Sequence, residues 1–254
     1  MRLPTRFPLG ELLVSEMNRN YLYFVQRIDL TAIDDKRAIE KSSYTAFVVQ
    51  AVAQTLAQAE HQNLNCMVRQ RIFTHDRVLL DDITATVAVE RPDGLVLAVP
   101  IRGADRKSLP QIHTELRAMT TGTVDNSREV RHLDLLNTLA RYAPPIAKML
   151  TLLPCYSKAI WQATRHGSFV VTSPAKYGTP DQLFSVWPWP MTVGFGTVKR
   201  RPVVVNGQVV ARNTLDLTVA VDRRWASGAP VALFLEDIRA RLEEHRDSVT
   251  QKAS

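Results

Sequence analysis

The sequence predicts a single α+β domain with a mixed, largely antiparallel sheet. Strand-like and helical segments follow one another without a regular strand–helix–strand rhythm, and hairpin turns are frequent. The chain has 254 residues, of which 45% are hydrophobic and 22% charged, which is ample for one buried core. Neither an internal repeat nor a Gly/Ser linker divides it. We therefore expect one domain over residues 1–254.

The first half of the chain is predicted to contain three strands and two helices. The strands cover residues 21–30, 83–90 and 95–101, and the helices begin after Ser42–Ser43 and at Ser108. The first strand is aromatic and β-branched, as strands prefer. Serine hydroxyls can cap the first helix. Between the second and third strands, Pro92 and Asp93-Gly94 supply the chemistry of a turn.

The second half begins with a helical stretch at residues 127–165. Prolines at 144–145 and 154 interrupt it, which predicts two or three short helices. Strands are expected at 168–173, 191–198, 203–205, 208–210 and 214–222, and a last helix at 229–245. Asn206-Gly207 is the clearest local signal, because this pair favours a two-residue type I′ hairpin turn.

Charge and cysteine content exclude several classes of partner. The net charge is +7, but the longest basic run is Lys199-Arg200-Arg201, so no nucleic-acid-binding cluster is present and a solvated basic surface is favoured. Cys66 and Cys155 stand far apart, which argues against a disulfide framework or a cysteine-rich metal site. The most apolar stretch, residues 146–153, is too short to cross a membrane. Since no secretory signal precedes it, we expect a cytoplasmic protein without nucleic-acid or membrane partners.

Common site motifs are missing as well. The sequence has no phosphate-binding glycine loop, no H-E-x-x-H and no G-x-S-x-G, and none of its six histidines are paired at metal-ligand spacing. No metal is expected. The W-P-W-P run at 187–190 cannot form a regular strand, because proline lacks a backbone donor. It could line a pocket or an interface, or simply pack in the core.

Four segments, in one order, carry a family resemblance. Residues 217–230 read L-T-V-A-V-D-R-R-W-A-S-G-A-P and resemble the D-H-R-x-x-D-G-A signature of the catalytic domain of 2-oxoacid dehydrogenase acyltransferases. These are the E2 components, relatives of chloramphenicol acetyltransferase. Residues 87–100, 167–173 and 192–199 are similar to three further stretches of that domain. The resemblance spans about Phe7 to Leu242, and residues 127–165 are longer than the usual family segment.

The resemblance implies a fold, an assembly and a chemistry. The fold would be a chloramphenicol acetyltransferase-like two-layer sandwich, and the assembly a homotrimer with active sites between subunits. Coenzyme A would enter each site from one end and the acyl acceptor from the other. In the family the motif histidine is the general base, and a Ser or Thr hydroxyl in the G-x-F-T-I-S-S strand stabilises the oxyanion. The motif aspartate maintains the structure through a basic partner near the N-terminal helix.

Carried onto this chain, the signature is retained only in part. The oxyanion hydroxyl falls on Thr172, and Asp222, Arg224, Gly228 and Ala229 match the signature. Arg223 occupies the position of the histidine, and Ser227 that of the aspartate. Because residues 9–17 contain no arginine to pair with that aspartate, the two changes are mutually consistent. A guanidinium with a pKa above about 12 cannot take a proton from an acceptor. A general base typically raises the reaction rate about 10²- to 10⁴-fold.

Each of these residues has alternative interpretations. Arg223 could pair with a phosphate, a carboxylate or an oxyanion, or could form a surface or interface salt bridge. Thr172 could be ordinary strand filler. His166 is a candidate replacement base because it is close in sequence to the strand at 168–173. Residues 35–38 superficially resemble a lipoylation site, but no lipoyl domain fits before them, so we expect neither a lipoyl nor a peripheral subunit-binding domain on this chain.

Two functions follow from the resemblance. The first is an acyltransferase that moves an acyl group from coenzyme A or a carrier to a small acceptor, by a route that lacks the usual histidine. An acceptor that is already ionised would need no base. The second is a catalytically silent trimeric scaffold or partner subunit of the same fold. The double change at Arg223 and Ser227 favours the second, whereas Thr172 is compatible with both.

Overall fold

The computed structural model describes residues 21–90, 96–120, 128–178 and 181–243. Its strands are β1 (Tyr21–Asp29), β2 (Cys66–Gln70), β3 (His75–Leu79), β4 (Ala85–Glu90), β5 (Val96–Ile101), β6 (Phe169–Thr172), β7 (Met191–Phe195), β8 (Lys199–Val205) and β9 (Gln208–Asp222). Its helices are α1 (Thr31–Glu40), α2 (Tyr44–Leu56), α3 (Leu109–Thr120), α4 (Arg128–Tyr142), α5 (Pro144–Leu152), α6 (Lys158–Thr164) and α7 (Gly228–Glu243). Short 3₁₀ turns lie at Gln62–Leu64, Leu153–Tyr156 and Ala175–Tyr177.

The main sheet has the strand order β1-β9-β7-β6-β4-β5, and β8 pairs with the first half of β9. Its β4–β6 and β6–β7 pairs are parallel, and its other described pairs are antiparallel. Strands β2 and β3 form a separate hairpin. The predicted α+β class with a mixed, largely antiparallel sheet is therefore confirmed.

Successive side chains of a strand point to opposite faces of the sheet, and the two faces of this sheet pack against different elements. Phe169 and Val171 of β6 join the large core that α2, α3 and α7 cover. Val170, between them, belongs to a smaller cluster with Trp161 and Trp189 on the other face. Helices α2, α3 and α7 thus cover one face, and a cluster that includes Trp161 of α6 and Trp189 packs on the other.

Most predicted elements are present, and their caps and turns are the expected ones. The Ser43 hydroxyl caps α2 by accepting a hydrogen bond from the Ala46 backbone N–H at 3.3 Å. Asn206 and Gly207 both have positive φ, at 51° and 77°, as a type I′ turn requires. The stretch at 127–165 forms three helices, α4 to α6. The predicted turn at 91–94 lies outside the described residues.

Three expectations need correction or addition. Residues 208–210 and 214–222, predicted as two strands, are one continuous strand because β9 pairs with β8 along its first half and with β1 along its second. Helix α1 was not predicted, because it is rich in charged residues and buries only Ile33. The β2–β3 hairpin was not predicted either; β3 alternates between exposed and half-buried residues and lacks a fully buried position.

A buried carboxylate joins β1, β8 and β9. The Asp216 side chain is 1% exposed and accepts hydrogen bonds from Arg27 Nε at 2.8 Å and from Gln182 Nε2 at 3.2 Å. The Arg201 Nη2 lies 3.5 Å from Oδ2 of Asp216. Burial opposes ionisation, but hydrogen bonds from Arg27 and Gln182 and the charge of Arg201 outweigh it, so the pKa of Asp216 lies below its ordinary value.

We predict that Asp216→Asn lowers the free energy of unfolding at pH 7 by about 2 kcal/mol, because Arg27 loses its carboxylate and Arg201 keeps only that of Asp181, at 3.2 Å. A carboxylate whose pKa is lowered by folding stabilises the protein above its unfolded-state pKa of about 4 and loses that contribution as the pH falls through the folded-state pKa. Urea unfolding of both proteins at several pH values should therefore show the difference shrinking below about pH 4. An equal difference at pH 7 and pH 3 would contradict this role for Asp216.

Candidate active site

A cavity of about 750 Å³ opens at the carboxyl ends of the parallel strands β4 and β6. Glu90 and Thr172 reach it from those strand ends, His113 from α3, Ser43 from the start of α2, and Trp187 from the W-P-W-P run. The carboxyl edge of parallel strands is where α/β sheets commonly bind ligands. The volume lies within the range of sites that enclose small molecules and cofactor fragments.

Thr172 presents an unused hydroxyl to this cavity. It is the last residue of β6 and is half-buried, and its hydroxyl forms no hydrogen bond within the described ranges. A threonine hydroxyl can donate one hydrogen bond, so the group is available to an oxygen of a bound molecule. Thr172 thus lies at the wall of a ligand-sized space.

His113 is a second polar group of the cavity that the sequence analysis did not select. Its Nδ1 accepts a hydrogen bond from the Ser43 backbone N–H at 3.2 Å. A backbone N–H can only donate, so in the neutral ring the proton is on Nε2 and that nitrogen is a donor. His113 is therefore arranged to donate to a ligand and not to accept its proton. The sequence feature that could have identified His113 was its position next to the buried Ile112, at the edge of the apolar face of α3.

One tryptophan of the W-P-W-P run lines the cavity, and the other packs in the core. Trp187 lines the cavity of Thr172. Trp189 is 5% exposed and packs with Trp161 in the smaller core cluster. Above the same cavity, the Tyr177 hydroxyl donates to the Glu90 carboxylate and so joins the 3₁₀ turn after β6 to the end of β4.

Asp222 organises the turn that follows β9. It is buried and accepts hydrogen bonds from the Arg224 backbone N–H at 2.9 Å and from Arg224 Nε at 3.0 Å. Burial disfavours the charge of Arg224, but its ion pair with Asp222 prevails and raises the pKa of the guanidinium above the ordinary value. Asp222 and Arg224 therefore form a structural pair and hold the backbone of the signature.

Arg223 and Ser227 are both exposed on this turn. Arg223 forms neither a hydrogen bond nor an ion pair with any residue in the described part of the chain. Among the residues that the structure describes, none neutralises its guanidinium. Residues 9–17, which contain no arginine that could pair with an aspartate at 227, lie outside the described residues.

The strand register separates Thr172 from Arg223. Thr172 pairs with Gly194, and Gly194 pairs with Thr218 of β9. Asp222 is four residues further along β9, which corresponds to about 14 Å along the strands, and β9 lies about 10 Å from β6 across the sheet. Thr172 and Arg223 therefore cannot act on the same atom of a ligand within one chain.

His166, considered as a replacement base, is buried in another environment. Its backbone has a φ of 68°, and its ring Nδ1 lies 3.1 Å from the carbonyl oxygen of Gln162, to which it donates. It is not among the residues that line the cavity of Thr172. The described geometry therefore offers no path from His166 to an acceptor bound beside Thr172.

Other reactive groups do not add a metal or thiolate site. Among the described residues, no three histidine, cysteine or acidic side chains are grouped to hold a metal ion. Cys66 is buried, and this burial raises the pKa of its thiol to about 11, so it is protonated at neutral pH. In the same ranges, no helix is long and apolar enough to span a bilayer.

The chain belongs to the family described as 2-oxoacid dehydrogenases acyltransferase (catalytic domain). Residues 13–134 and 157–249 match the model of that family. The resemblance seen in the sequence is thereby confirmed. Residues 135–156, which include the end of α4 and all of α5, are left unmatched.

Relatives and solved structures agree with this assignment. The chain is 30% identical over 204 residues to the dihydrolipoyllysine-residue acetyltransferase component of the pyruvate dehydrogenase complex of Mycoplasma pneumoniae, covering 80% of this chain and 42% of that protein. It spans less than half the length of that relative. A probable dihydrolipoamide acetyltransferase from Listeria monocytogenes has the same fold, with a TM-score of 0.67 and 19% identity over 98% of this chain and 96% of the other. Chloramphenicol acetyltransferase follows at a TM-score of 0.52 and 12% identity, over 92% and 93% of the two chains.

We predict that the two neighbouring arginines of the signature differ sharply in their effect on stability. Arg224→Gln should lower the free energy of unfolding by about 2 kcal/mol or more, because it removes the counter-charge of buried Asp222. Arg223→Gln should change it by less than about 0.5 kcal/mol, because that side chain is exposed. Chemical denaturation of the two variants measures both effects. A large loss in Arg223→Gln would show that this guanidinium has a structural role.

Proposed function

We propose that this chain is an acyltransferase that moves an acyl group from coenzyme A or a carrier thioester to a small acceptor without a histidine base. The observation that supports this most directly is the unused hydroxyl of Thr172 in a cavity large enough for a substrate. A scaffold needs neither a ligand-sized cavity at the carboxyl ends of its parallel strands nor a free donor within it.

Thr172 would act on the charge that develops during transfer. A thiolate acceptor attacks the carbonyl carbon of the thioester, and the negative charge moves to the carbonyl oxygen. The Thr172 O–H donates to that oxygen. The intermediate then collapses, the C–S bond to coenzyme A breaks, and coenzyme A leaves as its thiolate. A positioned donor of this kind is typically worth about 10²- to 10³-fold in rate.

The acceptor has to arrive without its proton. Arg223 cannot remove it, because a guanidinium stays protonated at working pH. His113 cannot do so in the observed arrangement, because its accepting nitrogen is already engaged by the Ser43 N–H at 3.2 Å. We therefore propose an acceptor that is ionised before it binds, such as a thiol of low pKa or an enolate.

We further propose that the working unit is a homotrimer. Thr172 and Arg223 lie at opposite ends of the sheet, so they can serve one site only if neighbouring copies contribute one each. Arg223, which has no ion-pair partner among the described residues, would then bring its charge to a phosphate, a carboxylate or the oxyanion of the neighbouring site. The single-domain organisation over residues 1–254 and a cytoplasmic location are parts of the same proposal.

A catalytically silent trimeric scaffold is the second candidate. It is favoured by the joint replacement of the motif histidine and aspartate by Arg223 and Ser227, since loss of chemistry would release both positions from constraint together. The two candidates differ in one respect that can be measured, because a scaffold has no reason to bind an acyl thioester in the cavity of Thr172.

We predict that the purified chain transfers the acetyl group of acetyl-CoA to dihydrolipoamide slowly, and that Thr172→Val lowers this rate by about 10²-fold or more by removing the hydroxyl. Thr172→Ser is the matched control, because it keeps the donor and should retain most of the rate. Product is followed by mass spectrometry, and thioester binding by calorimetry.

The outcomes separate the two candidates. If Thr172→Val and the wild type transfer at equal rates, the proposed role of Thr172 is wrong. If the wild type neither binds nor transfers any of a panel of acyl-CoA thioesters, the scaffold is favoured. The double variant Arg223→His with Ser227→Asp provides a positive control, since restoring the base should raise transfer if the rest of the site is intact.

A further inference from the structure

A second, smaller cavity of about 100 Å³ lies beneath the helical layer α4–α6. Its walls come from that layer, from β5 and from the W-P-W-P run, and they are mainly apolar. The apolar wall residues are Leu97, Ala98, Leu133, Leu136, Leu150, Pro154 and Trp189. Leu136, Leu150 and Pro154 fall within residues 135–156, which the family model does not match. The extra segment of this chain therefore builds part of the cavity.

Arg165, directly after α6, brings a positive charge to this cavity. Its guanidinium donates to the carbonyl oxygen of Thr151 at 3.4 Å, and its Cζ stacks over the Trp189 ring at 5.0 Å from the centroid. It forms no ion pair with a carboxylate within the described ranges. Burial lowers the pKa of the guanidinium, and the interaction with Cys155 offsets this only in part.

His132 also lines this cavity, and three other polar groups around it have already used their donors. The Thr151 hydroxyl donates to the Lys148 carbonyl at 2.9 Å, and the Thr164 hydroxyl donates to the Ile160 carbonyl at 2.7 Å. The Trp189 indole N–H donates to the Arg165 carbonyl at 3.0 Å. Unlike these three groups, the Arg165 guanidinium has N–H groups left for a bound molecule, and they are aligned by the stacking on Trp189.

We infer that this cavity binds a small aliphatic carboxylic acid as its anion. A half-buried guanidinium without a carboxylate partner is stabilised by a counter-anion, and its planar fork matches a carboxylate. The leucine side chains and Trp189 suit a short hydrocarbon body. An engineered cavity of about 150 Å³ holds benzene, so about 100 Å³ suits an acid of about four carbons. A phosphate would match the charge but would place polar oxygens against the apolar walls.

The two cavities have no lining residue in common. The inference is therefore independent of acyl transfer, and its test uses binding alone. Loss of the Thr172 hydroxyl should leave carboxylate binding unchanged, so failure of one proposal is distinguishable from failure of the other.

The test is calorimetric titration of the full chain with butyrate, with butyramide as a neutral molecule of the same shape, at constant ionic strength in chloride. We expect saturable binding of butyrate and none of butyramide. Arg165→Gln should weaken butyrate binding about tenfold or more, because a charge-assisted hydrogen bond is lost. Arg165→Lys should retain part of the affinity. Arg131→Gln, on the exposed side of α4, is the matched control and should bind as the wild type does.

Several results would overturn the inference. Equal binding of butyramide would show a purely apolar cavity, and tighter binding of inorganic phosphate would show a general anion site. Undiminished butyrate binding by Arg165→Gln would place the site elsewhere. Absence of saturable butyrate binding up to about 50 mM would exclude it, since a Kd near 1 mM gives nearly full occupancy there. If Arg165→Gln does not fold, the pair of ligands on the wild type still decides.

Discussion

The hydrogen-bond register of one long strand determines what this chain can do. Strand β9 pairs with β1, β7 and β8, and it carries the acyltransferase signature at its far end. The same register aligns Thr172 of β6 with Thr218, four residues before Asp222. Because a shift by one residue would turn every inward side chain of β9 to the other face, this arrangement is fixed by the core. The Thr172 hydroxyl and the signature therefore lie at opposite ends of the sheet. They can act in one site only if a second copy of the chain contributes one of them.

The fold tolerates the altered signature because its structural part is intact. Asp222 still holds the turn through Arg224, while the two replaced positions, 223 and 227, are exposed. The glycine that opens the 167–173 segment is also retained for a physical reason: a Cβ there would lie 1.7 Å from the carbonyl oxygen of Thr84. The residues that hold this turn are thus kept, while an arginine and a serine stand where the signature has its histidine and its aspartate.

Sequence patterns anticipated the fold wherever a local rule applied. The cap at Ser43, the turn at Asn206-Gly207 and the buried face of α7 follow from hydroxyl, glycine and periodicity arguments. Helix α1 and the β2–β3 hairpin were not predicted, because tertiary packing stabilises them and their local sequence pattern is weak. For the site, the family signature marked Thr172, Asp222, Arg223 and Ser227 as candidates, and of these four Thr172 lines the cavity. His113 and Arg165 could not be anticipated, since their roles depend on partners distant in sequence, Ser43 and Trp189.

We propose that acyl transfer by this chain needs no general base on the protein, and the pH dependence of the wild-type rate tests this most directly. With a thiol acceptor and saturating acetyl-CoA, the rate should rise about tenfold per pH unit up to the pKa of the acceptor thiol, because only the thiolate reacts. Acceptors of lower thiol pKa should reach their maximum at correspondingly lower pH. A rate that levels off near pH 7 whichever acceptor is used would reveal a titrating histidine and contradict the account.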